Sequence, residues 1–328
     1  MITKKYAAGL DIGGTKCAAV LGELGEQNTI RLCGKKKIAT ADFPDPEQCL
    51  KHLCALLLDL WNENNVSPEQ ICGIGISCGS PQDPEKGYIL APPNLPNWVD
   101  VHATEIVERC TGLKAKLEND ANACALAEWK FGAGRGSKNM IFLTFGTGLG
   151  AGIIADGKLL RGQNGNAGEC GHIRLTPEGP AGYGKNGSFE GWCSGGGLAL
   201  QGKMCAKKAL QNGTPTAWCP DEQSVDLITA KLLADYANAG DQDALSVYEE
   251  CGRKLGYGLS ILIDILNPER IVIGSVFTRS ENLLRPAMEK VIAEEALSLS
   301  ADVCRVVPAE LGESIGDIAS LAIAANIE

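Results

Sequence analysis

The sequence predicts an α/β protein of two domains, on three observations. The chain has 328 residues, more than a single core ordinarily serves. Short apolar strands alternate with segments of helical period along its whole length. A strand–glycine turn–strand unit spans residues 6–22, and another follows about 130 residues later, at 139–155. Two such units point to an internally duplicated fold whose halves each offer backbone N–H groups to one phosphate chain.

In chain order, residues 6–12 read as a strand, 13–16 as a tight turn and 17–22 as a second strand. Gly13 and Gly14 let backbone N–H groups approach an anion, and Thr15 adds a hydroxyl. Asp11 points into the same turn, where phosphate alone would repel it; a divalent cation between them removes the conflict. A plain glycine hairpin would use the same residues. Residues 30–38 continue as a strand, with Lys35-Lys36-Lys37 as a solvated strand end. Helix 46–61 carries an apolar stripe at Leu50, Leu53, Cys54, Leu57, Leu58 and Trp61, with His52 on its polar side. Residues 71–77 are a buried strand. Prolines at 92, 93 and 96 fix a loop. Residues 101–110 form a helix that Gly112 ends, with His102 on its surface.

Residues 114–117 make a short strand and the Ala-rich stretch 121–131 a helix, so Asn119 and Asp120 occupy a strand-to-helix corner. An Asx side chain caps a helix well there. The corner equally suits a carboxylate that accepts a proton from a bound hydroxyl while Asn119 hydrogen-bonds the same ligand. It does not choose between the two. The second unit follows: strand 139–145, turn Gly146-Thr147-Gly148-Leu149-Gly150, strand 151–155 and a hairpin at Asp156-Gly157. Residues 161–197 are glycine-heavy and aperiodic, a long functional or disordered loop. Helical pattern then runs from 195, over 223–239 and over 244–266, where Pro268-Glu269 stops it. A buried strand 270–274, a helix 280–296, a strand 301–307 and a closing helix 316–327 complete the chain.

Apolar residues make up 45 % and charged residues 21 %, ordinary for a globular protein. The net charge of −10 argues against nucleic acid and anionic membrane as main partners. No apolar run reaches the roughly 20 residues that span a bilayer. Asp11 follows Lys4 and Lys5 too soon for a signal peptide, so a cytoplasmic protein is expected. The 14 cysteines include no CxxC or CxC pair, which leaves them as small apolar core residues in a reducing compartment.

Six short motifs stand in order: Asp11-Ile12-Gly13-Gly14-Thr15-Lys16, Pro93-Asn94-Leu95-Pro96, Asn119-Asp120-Ala121-Asn122, residues 145–152 (FGTGLGAG), Ala167-Gly168-Glu169-Cys170-Gly171-His172, and Glu190. With them the sequence resembles the ROK family of bacterial sugar kinases and related regulators, within the actin-like sugar kinase superfamily. The resemblance implies two actin-like (ribonuclease H-like) α/β domains, 1–117 and 118–311, with a central cleft. The closing helix, about 312–328, would pack back onto the first domain. It implies Asp120 as catalytic base and Asn94, Asn119, Glu169, His172 and Glu190 as sugar contacts. Gly13, Gly14, Thr15, Lys16, Gly146, Thr147, Gly148 and Gly274 fall on the nucleotide side, with Asp11 toward magnesium, through water. ATP and Mg2+ are the implied donor and metal, a sugar the partner, and a homodimer the assembly. The implied reaction is transfer of the γ-phosphoryl group to the 6-hydroxyl of a hexose, with glucose as the leading substrate. Mannose, allose, fructose and N-acetylhexosamines (GlcNAc, ManNAc) stay open, as does polyphosphate as donor. A sugar-responsive binding protein without activity is the rival. Retention of Asp11, Asp120 and both glycine turns speaks against it, because binding a sugar needs neither turn. Asp11 also falls too near the start for the N-terminal DNA-binding domain of the family's repressors.

Two departures from the family pattern stand out. The family's zinc motif, CxCGxxGCxE plus the histidine of AGExGH, keeps only His172 here. Ala181, Tyr183 and Ser188 occupy the three cysteine positions, so no structural zinc is expected. The loop bearing Glu190 must then be held by packing, for which Tyr183, Phe189 and Trp192 are at hand. Secondly, Gly79-Ser80 replaces a Pro-Gly after the 71–77 strand, near where the sugar would lie.

Overall fold

The computed structural model of the chain describes residues 5–327. They pack into two compact units. Residues 5–137, 152–167 and 310–327 form the first; residues 138–151 and 168–309 form the second. The boundary expected at 117/118 falls inside the strand Ala115–Asn119. That strand pairs with the sheet of the first unit, which keeps it and the following helix there.

The first sheet has five strands in the order β3 (Ile30–Ala39), β2 (Lys16–Leu24), β1 (Tyr6–Ile12), β4 (Ile71–Cys78) and Ala115–Asn119. β1 to β3 are an antiparallel meander, while β4 and Ala115–Asn119 run parallel to β1. The two-residue period of the strands sorts the side chains to two faces. Ala8, Leu10, Ile12, Cys17, Ala19 and Leu21 pack with α1 (Pro46–Glu63) and α2 (Ala103–Thr111). Ala7 and Val20 pack with Leu321 and Ala324 of the last helix, Ile315–Ala324. A Cβ at Gly75 would lie 1.9 Å from the Ser320 carbonyl oxygen, so glycine there lets the last helix lie directly on β4.

α1 starts where Asp45 accepts the N–H groups of Glu47 and Gln48 at 2.8 and 3.1 Å, with Pro46 as first helical residue. It buries the expected stripe except Leu58, whose place Leu60 takes. The lysine run is not a solvated strand end. It lies inside β3, and the alternation sends Lys35 to Asp317 of the last helix and Lys36 to Asp59 and Glu63 of α1. Nor are the two histidines merely solvated: His52 stacks on Phe43 at 4.6 Å and His102 on Tyr88 at 3.9 Å. His102 also lies in a short strand, one residue ahead of α2.

The second unit is built on parallel strands Met140–Leu143, Arg270–Ile273 and Arg305–Pro308, the middle one pairing with both others. Residues 161–197 are more ordered than their composition indicates. They hold a 3-10 turn Cys170–His172, a hairpin of Ala181–Gly182 and Lys185–Asn186, and the single-turn helix α4 (Phe189–Trp192), before α5 (Gly195–Gln211) begins. The helix expected over 223–239 is two elements, a 3-10 segment Glu222–Leu227 and α6 (Ala230–Asn238). Thr229 divides them by accepting the Leu232 N–H at 3.1 Å, a fresh N-cap. α7 (Gln242–Leu266) packs on α8 (Val276–Glu295), which starts four residues earlier than expected and kinks at Ser280. The strand expected over 301–307 is Arg305–Pro308; Ser298–Ala301 is helical instead.

None of the 14 cysteines forms a disulfide among the described residues, and most are buried, which fits their reading as core residues. No helix among the described residues is long and apolar enough to cross a membrane.

Candidate active site

In the first unit, β4 and Ala115–Asn119 end side by side, Cys78 opposite Asn119. The segments leaving them therefore meet at one edge of the sheet, where α3 (Asp120–Phe131) begins. Asn119 is its cap: Oδ1 accepts the N–H of Ala121 at 2.8 Å and of Asn122 at 3.4 Å. Its Nδ2 donates to Ser80 Oγ at 2.7 Å, leaving one amide proton beyond these bonds. Asp120 is the first helical residue, and its Oδ1 accepts the Ala121 N–H at 2.8 Å. It keeps an open edge to solvent, although protein surrounds most of the carboxylate. Burial favours the neutral form and outweighs the backbone N–H groups that favour the charged one, so this carboxyl sits above the ordinary range.

β1 carries Asp11 opposite Ser77 of β4, which brings Asp11 to the same edge. The turn after β1 is closed by the Gly13 N–H, which donates to Lys16 O at 3.1 Å. Thr40 Oγ1 fixes it further by donating to Gly13 O at 2.7 Å. Thr15 and Lys16 are exposed. A Cβ at Gly14 would lie 2.5 Å from the Asn94 carbonyl oxygen, so the proline loop packs on this turn, anchored by buried Leu95 and Trp98. Asn94 itself is exposed. The Asp11 carboxyl is pushed up to about 6, first by burial, then by Asp317 nearby, with Lys35 opposing. Asp317 is itself paired with Lys35, and among the described residues no group of three or more acidic, cysteine or histidine side chains forms a metal site; a divalent cation beside Asp11 would need water or phosphate oxygens for its remaining ligands.

The second unit assembles another group. In the turn after Met140–Leu143, the Thr144 N–H donates to Gly150 O at 2.9 Å and the Gly150 N–H to Thr144 Oγ1 at 2.9 Å. Gly195 and Gly196, at the start of α5, donate to Gly146 O and Thr147 O at 2.7 and 3.2 Å, so this turn lies against a helix N-terminus. Thr147 is exposed. Gly274 is buried after the central strand, and its N–H donates to Leu143 O at 3.0 Å. The loop of Glu169 and His172 lies on the same turn: the Ala151 N–H donates to Gly168 O at 3.2 Å, and a Cβ at Gly171 would lie 2.1 Å from Leu149 O. Glu169 and His172 are exposed. Glu190 reaches the turn directly, its Oε2 accepting the Leu149 N–H at 3.0 Å. A Cβ at Gly148 would lie 2.6 Å from that oxygen, so the Glu190 carboxylate lies close against the turn. Glu169, His172, Glu190 and Gly146–Gly148 are thus gathered within this unit.

The residues at the zinc-motif positions do not suit a zinc ion. Ala181 offers no donor, Tyr183 is 80 % exposed, and the Ser188 oxygen is engaged by backbone. Ser188 Oγ accepts the Gly182 N–H at 3.2 Å and the Gly191 N–H at 3.1 Å, tying the hairpin to α4. Trp192 Nε1 donates to Thr176 Oγ1 at 2.8 Å, and Phe189 is fully buried. Lys185 Nζ donates to His172 O at 2.6 Å. Phe189 and Trp192 pack as expected; Tyr183 does not, because it sits at the hairpin tip with φ of 45° and its ring meets only the edge of His172.

Three residues beside the site escaped the reading of the sequence: Glu118, Arg161 and Asp317. Ser80 is placed near the sugar by the sequence, but its bond to Asn119 is not; Glu118 adjoins a motif, and that adjacency is the available signal. Arg161 and Asp317 come from distant segments and had none.

Residues 7–327 match the ROK family over nearly the whole chain. A glucokinase of Halalkalibacterium halodurans is 32 % identical over 97 % of this chain and 94 % of its own. An N-acetylglucosamine repressor of Escherichia coli is 31 % identical over 84 % of this chain and 67 % of the repressor. Among solved structures, a ROK family glucokinase from Streptomyces griseus, in complex with glucose and AMPPNP, superposes with a TM-score of 0.73. It is 31 % identical, and the match covers 98 % of this chain and 99 % of that one. The mixed α/β, actin-like fold expected from the sequence is the fold found, and this chain belongs to the ROK family.

Proposed function

We propose that this protein is a sugar kinase that transfers the γ-phosphoryl group of ATP to the 6-hydroxyl of a hexose, with glucose as the first candidate. The observation that carries the reading is Asp120: a carboxylate with an open edge, fixed on a helix N-terminus beside Asn119, with its proton affinity raised by burial. Such a group can take the proton of an attacking hydroxyl as the new P–O bond forms. The glucokinase relatives, one of them bound to glucose and a nucleotide analogue, support the substrate class.

In this reading Asn94, Asn119, Glu169, His172 and Glu190 bind sugar hydroxyls. Planar side chains held by backbone suit that task, since each fixes an orientation at little further entropic cost. The Gly13–Lys16 and Gly146–Gly148 turns present backbone N–H groups and the Thr15 and Thr147 hydroxyls to phosphate oxygens, with Gly274 on the nucleoside side. Asp11 would hold Mg2+, largely through water; bound there, the ion supplies neutralisation of phosphate charge. The match to a repressor keeps a second reading in view, a sugar-responsive binding protein without catalysis.

An ADP-release assay over a panel of hexoses and N-acetylhexosamines separates the two, with Asp120→Asn as control. Sugar-dependent ADP release that the variant loses is the expected result. Sugar binding by calorimetry with no turnover on any member of the panel would replace the kinase reading with the second one.

A further inference from the structure

An ion pair between a buried carboxylate and a half-buried guanidinium lies directly behind the Asn119–Asp120 corner. Glu118, the residue before Asn119, is fully buried. Its Oε2 accepts from Arg161 Nε at 2.9 Å and lies 2.8 Å from Arg161 Nη2. Its Oε1 accepts from the Asn122 side-chain amide at 3.0 Å and from the Asn119 N–H at 3.3 Å. One carboxylate thus grips the residues on both sides of Asp120, and one guanidinium balances its charge. Removing a single partner from such a pair would leave an uncompensated buried charge. Arg161 also fixes the chain that follows it through its own backbone, the Ala167 N–H donating to Arg161 O at 3.0 Å.

The pair has an unusual feature for a purely structural device. Asn122 Oδ1 is buried and has no hydrogen-bond partner among the described residues, while Arg161 Nη2 meets Glu118 Oε2 at 2.8 Å. An unspent buried polar atom costs stability, and apolar residues of similar volume would avoid that cost. What the arrangement secures is orientation: two bonds to Glu118 Oε1, from Asn119 and Asn122, hold the first turn of α3, on which Asp120 rides.

We infer that Arg161 is a positioning residue for phosphoryl transfer, acting through Glu118 to hold Asn119 and Asp120 in register with the attacking hydroxyl. The inference rests on Asp120 as the base. It predicts a split between rate and affinity. Arg161→Met should lower kcat about 10- to 100-fold, the scale of an ångström-sized misplacement, and leave the sugar Kd within about threefold. Arg161→Lys keeps the charge and should recover much of the loss. Should Arg161→Met fold poorly, the double variant E118Q/R161M also removes the buried Glu118 charge and restores folding; its kcat should stay low.

The measurements are kcat and KM for the sugar and ATP at a temperature well below each variant's melting point, and the sugar Kd by calorimetry. Either Arg161→Met or the double variant turning over within about twofold of wild type would overturn the inference and leave the pair a structural one. Asp120→Asn, run alongside, keeps the two claims apart. If that variant retains wild-type rate, the base assignment fails; if it is inactive while the Arg161 variants are normal, only the positioning role fails.

Discussion

Ser188→Ala is the substitution that tests how the Glu190 loop is held. The hydroxyl accepts two N–H groups, from Gly182 at 3.2 Å and Gly191 at 3.1 Å, and both glycines are buried. Losing the cap of α4 costs about 1 kcal/mol. Orphaning a second buried N–H adds about 1–3 kcal/mol. The expected loss is then about 2–4 kcal/mol, or a fall in Tm of roughly 5–15 °C for a unit of this size. Glu190 is two residues further on, so the sugar KM should rise while the ATP KM moves less. Neither effect should depend on metal, because the donor set at Ala181, Tyr183 and Ser188 does not suit zinc. The assay is calorimetric melting of tag-free protein before and after chelation, then kinetics with magnesium restored, with metal analysis of the same sample. A variant melting within about 1 °C of wild type would show that the hydroxyl is not the staple, since even a cap alone is worth more. Close to one tightly held zinc per chain, or a wild-type Tm that collapses on chelation, would refute the ligand argument itself.

Three further predictions follow from the geometry. Asp120→Asn should cut kcat by about 10²–10⁴-fold with sugar Kd little changed; a near-normal rate with about 1 kcal/mol lost would make it a helix residue only. For Asp11 the carboxyl is raised from 3.8 to about 6 in the native state, so the native protein takes up this proton before the unfolded chain does. Its contribution therefore favours folding below about pH 4 and is lost as pH rises through about 6. In magnesium-free buffer Asp11→Asn should accordingly be more stable than wild type at pH 7, by about 1–2 kcal/mol after allowing for partial solvent screening, and equal to it near pH 4. A variant less stable at pH 7 would contradict this. Thr15→Ala and Thr147→Ala should raise the ATP KM or lower kcat without weakening sugar binding; the reverse pattern in both would move these turns off the phosphate.

The strands and long helices were legible in the sequence because their periods are local. The α1 stripe, the β1–turn–β2 unit and the closing helix all follow from spacing and from residues such as Pro46 and Gly112 that start or stop an element. Boundaries failed where a single cap intervened, as at Thr229, or where hydrogen bonds ordered a glycine-rich stretch, as over 170–192.

The sequence alone determined the family, the fold class and the order of the six motifs, since motif identity is a property of residues close together in the chain. It also placed Asn119 and Asp120 on one corner, because a strand end and a helix start bracket them. What only the tertiary structure decided was which distant side chains stand behind those motifs. Asp317 beside Asp11, Arg161 on Glu118, Ser80 on Asn119 and Glu190 on the Leu149 N–H join segments between 39 and 306 residues apart. Such partners are set by strand order, by helix docking on a sheet face and by close approach at glycine. None of these leaves a periodic trace in the chain, and they decide the proton affinity of Asp11 and the orientation of the Asp120 corner.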